Sequence, residues 1–124
     1  MYADVERILG GAGNDLMTGG SGLNLFYGNE GHDTLVGGAG SDRLFGEGGD
    51  DRLNGGHGDD YIEAGAGRDA LHGDAGADAL FGLGGNDRFF SAGDNTKDTV
   101  RGGLGVDMTH SDELDDVLAT EVTF

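Results

Sequence analysis

The sequence predicts an all-β coil of short parallel strands, stacked two repeats to a turn. Three observations carry that prediction: 28 of 124 residues are Gly and none is Pro, a nine-residue period runs without a gap from Gly10 to Phe90, and each period holds one large apolar residue at a fixed place. Absence of Pro leaves every ladder hydrogen bond available.

Cut from Gly10, the chain reads GGAGNDLMT, GGSGLNLFY, GNEGHDTLV, GGAGSDRLF, GEGGDDRLN, GGHGDDYIE, AGAGRDALH, GDAGADALF, GLGGNDRFF. Position four is always Gly: Gly13, Gly22, Gly31, Gly40, Gly49, Gly58, Gly67, Gly76 and Gly85. Position six is Asp15, Asp33, Asp42, Asp51, Asp60, Asp69, Asp78 and Asp87, with Asn24 as the exception. Position eight is Met17, Phe26, Leu35, Leu44, Leu53, Ile62, Leu71, Leu80 and Phe89.

These columns divide the unit. The first six residues read as a turn, because several glycines so close together mark backbone geometries with positive φ. The last three, x-apolar-x, read as a minimal strand whose alternation points position eight inward. Such a strand does not persist alone, so units must stack. With two units per coil, Met17, Leu35, Leu53, Leu71 and Phe89 line one sheet and face Phe26, Leu44, Ile62 and Leu80 across a thin core. Successive strands in each sheet then lie about 4.8 Å apart.

Charge restricts function. Asp plus Glu number 24 against 7 Lys plus Arg, a net charge of -17, which repels nucleic acid and anionic membrane and strains any compact state. No Cys is present, so thiolate metal sites and disulfides are excluded. No apolar run reaches the roughly 18 residues of a membrane-spanning helix, and MYADVERIL has neither the basic nor the apolar region of a secretion signal.

Stacking turns the acids into a physical problem. Asp at position six lies above Asp two units later, giving the columns Asp15, Asp33, Asp51, Asp69, Asp87 and Asn24, Asp42, Asp60, Asp78. Like charges at that spacing repel, so a cation is expected between them. Carboxylates and turn carbonyls are hard oxygen donors, and no His or Cys column exists for a softer metal. Calcium is favoured over magnesium because such a site suits irregular coordination by six to eight oxygens.

The units resemble the GGxGxDxUx nonapeptide of the repeats-in-toxin (RTX, hemolysin-type) calcium-binding family. The resemblance covers residues 10–90 and implies a right-handed parallel β-roll with each ion held between turns by position-six aspartates and carbonyls. Carried onto this chain, it pairs Asp15 with Asp33, Asp33 with Asp51, Asp51 with Asp69, Asp69 with Asp87, Asp42 with Asp60 and Asp60 with Asp78. Asn24 with Asp42 is the weakest regular site, and Asp78 with Asp98 and Asp87 with Asp107 extend the columns. The cofactor complement is then about six to nine calcium ions. The resemblance further implies a bacterial module that leaves the cell unfolded by a type I secretion apparatus, folds on calcium outside or at the cell surface, and stabilises a larger exported protein.

Both ends depart from the repeat. Residues 1–9 read as a degenerate unit with Glu6 and Ile8 in the acid and apolar columns. Residues 91–110 read as two irregular units, the first with a turn two residues longer that brings Asp98 and Val100 into column, the second with Thr109 where an apolar residue is wanted. Residues 111–124, carrying Leu114, Val117, Leu118, Val122 and Phe124, read as a cap. Asn29, Glu47, Asp74 and Leu83 replace Gly at position two, and Ala64 replaces it at position one.

Other chemistry finds no support. An acid follows each G-x-G, which disqualifies a phosphate loop; an EF-hand from Asp50 fails at Arg52 and Tyr61; no catalytic motif occurs, and like groups repeated along a rod do not build an active site. His32, His57, His72 and His110 fall in different columns and read as solvated turn residues. On the outer face of the even units Tyr27, Phe45 and Phe81 form an apolar strip, read as an interface to another domain or a second copy. An adhesin or polysaccharide-binding module using Arg43, Arg52 and Arg88 is the alternative function. An ice-binding surface is discounted, since only Thr18 and Thr34 point outward.

Overall fold

The computed structural model describes residues 5–91, 94–111, 115–118 and 122–123. Among them there is no helix, and the chain alternates strand by strand between two parallel seven-stranded sheets. One sheet stacks β1 (Val5–Leu9), β3 (Leu23–Glu30), β5 (Arg43–Gly48), β7 (Tyr61–Ala66), β9 (Ala79–Gly84), β11 (Thr99–Leu104) and β13 (Asp116–Leu118) in that order. The other stacks β2 (Leu16–Thr18), β4 (Thr34–Ala39), β6 (Arg52–His57), β8 (Ala70–Ala75), β10 (Arg88–Phe90), β12 (Met108–His110) and β14 (Val122–Thr123). This is the two-unit coil that the nine-residue period demands.

Register follows the columns. Met17 pairs with Leu35, Leu35 with Leu53 and Leu53 with Leu71 in one sheet; Phe26 pairs with Leu44 and Leu44 with Ile62 in the other. All nine position-eight side chains are buried, together with Val100. A one-residue slip would turn that whole column outward, so burial fixes the register.

The strands are longer than x-apolar-x. β2, β10, β12 and β13 have three residues, but β4 to β9 and β11 have six, running into the next unit's glycines. Position one continues the alternation and points inward, as buried Gly37, Gly46, Gly55, Gly73 and Gly82 show. Turn amides also bond up the stack, Gly40 N–H to the His57 carbonyl at 2.9 Å and Gly58 N–H to Ala75 at 2.8 Å. The glycine turn is therefore laddered like a strand. Leu83 shares the left-handed conformation of Asn29, Glu47 and Asp74, with φ of 75°.

Beyond the regular block the stack persists. Glu6 and Ile8 register with Asn24 and Phe26, so the coil starts before Gly10. In the long turn, Asp94 accepts the Gly76 N–H at 2.9 Å and the Thr96 hydroxyl donates to the Gly76 carbonyl at 2.6 Å. Val100 then rejoins the apolar column against Leu80. Thr109, buried, stands beside Phe89 where an apolar residue was wanted. Within 111–124, β13 and β14 add one strand to each sheet, while Leu114, Phe124 and the Val122 side chain lie outside the described residues.

The outer aromatics stack on one another. Tyr27 and Phe45 lie parallel with centroids 4.9 Å apart, and Phe45, Tyr61 and Phe81 continue the ladder at 6.0 and 5.2 Å. His72 is not a turn residue: it sits in β8 and stacks on Phe90 at 4.3 Å. His32 is an exposed turn residue, but its Nδ1 accepts the Asp50 N–H at 2.9 Å.

Candidate metal centre

Position six builds two columns, one along each edge of the roll. The backbone N–H of Asp15 donates to Asp33 Oδ1 at 2.7 Å, and Asp33 to Asp51, Asp51 to Asp69, Asp69 to Asp87 and Asp87 to Asp107 repeat the bond. On the other edge Asn24 donates to Asp42, Asp42 to Asp60, Asp60 to Asp78 and Asp78 to Asp98. From Asp33 and Asp42 onward, one oxygen of each carboxylate is thus spent on clasping the previous coil. Sequence reasoning saw only stacked like charges; the amide between them depends on the coil's rise and is invisible in the repeat.

The second oxygen bears on position one, which is Gly in every regular unit except that of Asp69, where it is Ala64. Oδ2 of Asp33, Asp42, Asp51, Asp60, Asp69, Asp78 and Asp87 is buried and has no hydrogen-bond partner. Each turns back toward the first residue of its own unit. A Cβ on Gly46 would lie 2.5 Å from Asp51 Oδ2 and 2.6 Å from the Ala64 carbonyl; at Gly82 the same place is shared by Asp87 Oδ2 and the Gly102 carbonyl. Acceptors converge there with no donor. Such a buried group is costly unless a cation or proton joins it.

Without metal, burial favours the protonated form of these carboxyls. Burial pushes the carboxyls of Asp51, Asp60, Asp69 and Asp87 up to about 7 and that of Asp78 up to about 8. The bond from the preceding coil's amide opposes the shift, and neighbouring column acids add to it. Asp42 is raised by the same burial.

Two members of the columns differ. Asp15 is less buried and its Oδ2 accepts the Gly11 N–H at 2.8 Å. Asn24 turns its amide nitrogen toward the Gly37 carbonyl at 2.9 Å, the Gly22 carbonyl at 3.1 Å and Asp42 Oδ1 at 3.0 Å. Asp98 and Asp107 are fully buried in column. One residue escaped the sequence reading: Asp115 extends the even column, its Oδ1 accepting the Asp98 N–H at 3.0 Å and its Oδ2 the Ser91 hydroxyl at 2.8 Å. A spacing of 17 residues with no glycine frame gave no periodic signal for it.

No three His, Cys, Asp or Glu side chains converge among the described residues, so the donors are single carboxylates joined by backbone carbonyls. That all-oxygen set fits calcium rather than zinc or copper. A parallel two-sheet coil whose turns bury unpartnered carboxylates among carbonyls defines a cation-binding repeat solenoid. The model of the RTX calcium-binding nonapeptide repeat, in its four-copy form, matches six overlapping windows, 3–35, 27–62, 36–71, 55–89, 63–97 and 73–108. The chain belongs to that family and is a calcium-binding β-roll. No curated protein matches the chain.

Proposed function

We propose that this β-roll is a calcium-triggered folding module of a larger exported bacterial protein, disordered where calcium is scarce and ordered outside the cell. The observation that carries the reading is the row of seven buried Oδ2 atoms without a donor. Asp33, Asp42, Asp51, Asp60, Asp69, Asp78 and Asp87 would hold the ions together with position-one carbonyls, and Asp98 and Asp107 occupy equivalent places. Calcium, when bound, supplies the positive charge that these acceptors lack and offsets a net charge of -17. The chain's own part is to bring each carboxylate to its carbonyls, which happens only when two coils are in register. Ion binding and coiling are therefore one equilibrium. Extracellular calcium modules bind at about 10⁻⁴ to 10⁻³ M, which separates the two sides of a cell envelope, and the family's usual place in secreted proteins agrees. Passage through a type I secretion apparatus while uncoiled follows from the same coupling. Far-ultraviolet circular dichroism should change from coil to β on adding calcium and not magnesium; an equal β signal in chelator would refute the reading.

The parent's neighbouring domain, or a second copy, is placed against the ladder of Tyr27, Phe45 and Phe81. Solution scattering from the calcium-loaded chain tests the second copy, and a monomer at all concentrations removes it.

One observation favours a binding role as well. Arg52, Arg68 and Arg88 line a groove of about 680 Å³ along one edge of the roll together with Asp50, Asp51, Asp69 and Asp87, and among the described residues none of the three arginines forms an ion pair. Register places Ala70 between Arg52 and Arg88, which leaves room for an acidic saccharide between two guanidinium groups. Arg43 lies on the other sheet and outside this groove. A glycan array in saturating calcium tests it: loss of acidic-glycan binding in R52A/R88A supports the site, and no binding by the parent chain eliminates it.

A further inference from the structure

We infer that the first coil closes on its own hydrogen bonds and takes no ion at Asn24 or Asp15, so that the ion-holding columns begin at Asp42 and Asp33. The inference rests on the calcium reading above and refines which column members take part in it.

At Gly19 the space that a Cβ would fill is occupied by Asn24 Nδ2 and the Gly37 carbonyl. At Gly28, Gly37, Gly46 and Gly82 the same space holds a carboxylate Oδ2 and the carbonyl of the unit two further on. The geometry is shared and one atom is exchanged, an acceptor for a donor. Asn24 Nδ2 shares its two hydrogens among three acceptors, the Gly22 and Gly37 carbonyls and Asp42 Oδ1, while its Oδ1 is buried with no hydrogen-bond partner. Reversing the amide would face an oxygen with three acceptors, so the network fixes its orientation. The amide hydrogens stand where the other cradles need a positive charge.

Independent contacts on the opposite edge agree. Asp15 Oδ2 and the Gly28 carbonyl meet at Gly10 as in the later cradles, but here the oxygen accepts the Gly11 N–H and the side chain is only partly buried. The position-one carbonyl of that turn, Gly10, accepts the Asn29 amide at 2.7 Å. Asn29 is a position-two residue, where later units carry Gly, Glu47, Asp74 or Leu83, none of which donates from its side chain at neutral pH. Asn14 Oδ1 accepts the His32 N–H at 2.8 Å and ties the same two turns. That position-five bond recurs along the stack, from Arg68 to Asp50 and from Val106 to Asn86, so the donors peculiar to the start of the roll are the amides of Asn24 and Asn29.

The test is calcium stoichiometry by isothermal titration calorimetry, with folding followed by circular dichroism. N24D should bind one more ion per chain than the parent, N24A and D15N the same number, and D42N one fewer. An unchanged count in folded N24D, or one ion lost in N24A or D15N, overturns the inference. Should N24D fail to fold, D15N decides alone, since it alters a partly exposed side chain. A parent chain that binds no calcium would instead overturn the calcium reading itself.

Discussion

Two stretches of one repeat differ at one buried atom. From Asp33 to Asp87 each position-six Oδ2 faces its cradle without a donor, whereas in the first coil Asn24 presents an NH₂ group and Asp15 takes the Gly11 N–H. The ladder between coils is the same in both, since Asn24 and Asp15 donate up the stack as later members do, although position four has positive φ only from Gly31 onward. Coiling is therefore a property of the glycine frame and the apolar column. On the function proposed above, dependence on a cation rests with the single side-chain atom that each turn buries.

The largest effect that should separate the two stretches is removal of calcium. In chelator at pH 8 the block from Asp33 onward should lose its β signal. Acid should restore part of it. The fold raises Asp51, Asp60, Asp69 and Asp87 from 3.8 to about 7 and Asp78 to about 8, so it favours their protonated forms. Their contribution to the metal-free fold is fully present below 3.8 and is lost as pH rises through 7 to 8. Circular dichroism against pH in chelator should fall across that window, and saturating calcium should flatten the curve.

Next in size is the close approach of glycines along the stack. Gly40 has φ of 116° and its Cβ would meet the Gly22 carbonyl at 2.7 Å; Gly13, in the same column, has nothing within 4 Å. Gly40→Ala should cost more than about 3 kcal/mol and Gly13→Ala less than about 0.5 kcal/mol, read from urea denaturation in calcium. Equal costs would mean that the turn itself, and not the stack, demands glycine.

A smaller change would convert one stretch into the other. Asp60→Asn places an amide against a carbonyl-lined cradle, as Asn24 does. It should remove one ion and stabilise the metal-free state by about 1 to 3 kcal/mol, so that folding needs less calcium. A higher calcium midpoint would show that the amide does not replace the ion.

The smallest expected effect concerns Leu83. It holds φ of 75° while 47 % exposed, so its side chain returns little for the strain. Leu83→Gly should stabilise the roll by about 1 kcal/mol, visible as a modest rise in thermal midpoint in calcium.

Much of this architecture was legible without coordinates in space. Position eight named the core, and position six named both columns, including Asp98 after a two-residue insertion. At position two Asn29 and Asp74 take the positive φ that their side chains tolerate, and Glu47 and Leu83 take it as well, which their residue types do not announce. Legibility failed where the period failed. Asp115 carries no glycine frame, and Thr109 enters the core through its neighbours' register rather than its own polarity.

The sequence by itself determined the coil, because a nine-residue period with one apolar residue per unit buries its core in only one way. It also determined that acids would stack. Only the tertiary structure decided what each acid does, because one carboxylate oxygen is claimed by an amide 18 or 20 residues away and the other is aimed at a glycine that leaves room for it. Asn24 shows why that division matters. In the sequence it is a minor lapse in a column of aspartates, and in the coil it is a donor set among acceptors, a role that depends on carbonyls the chain brings near only by winding.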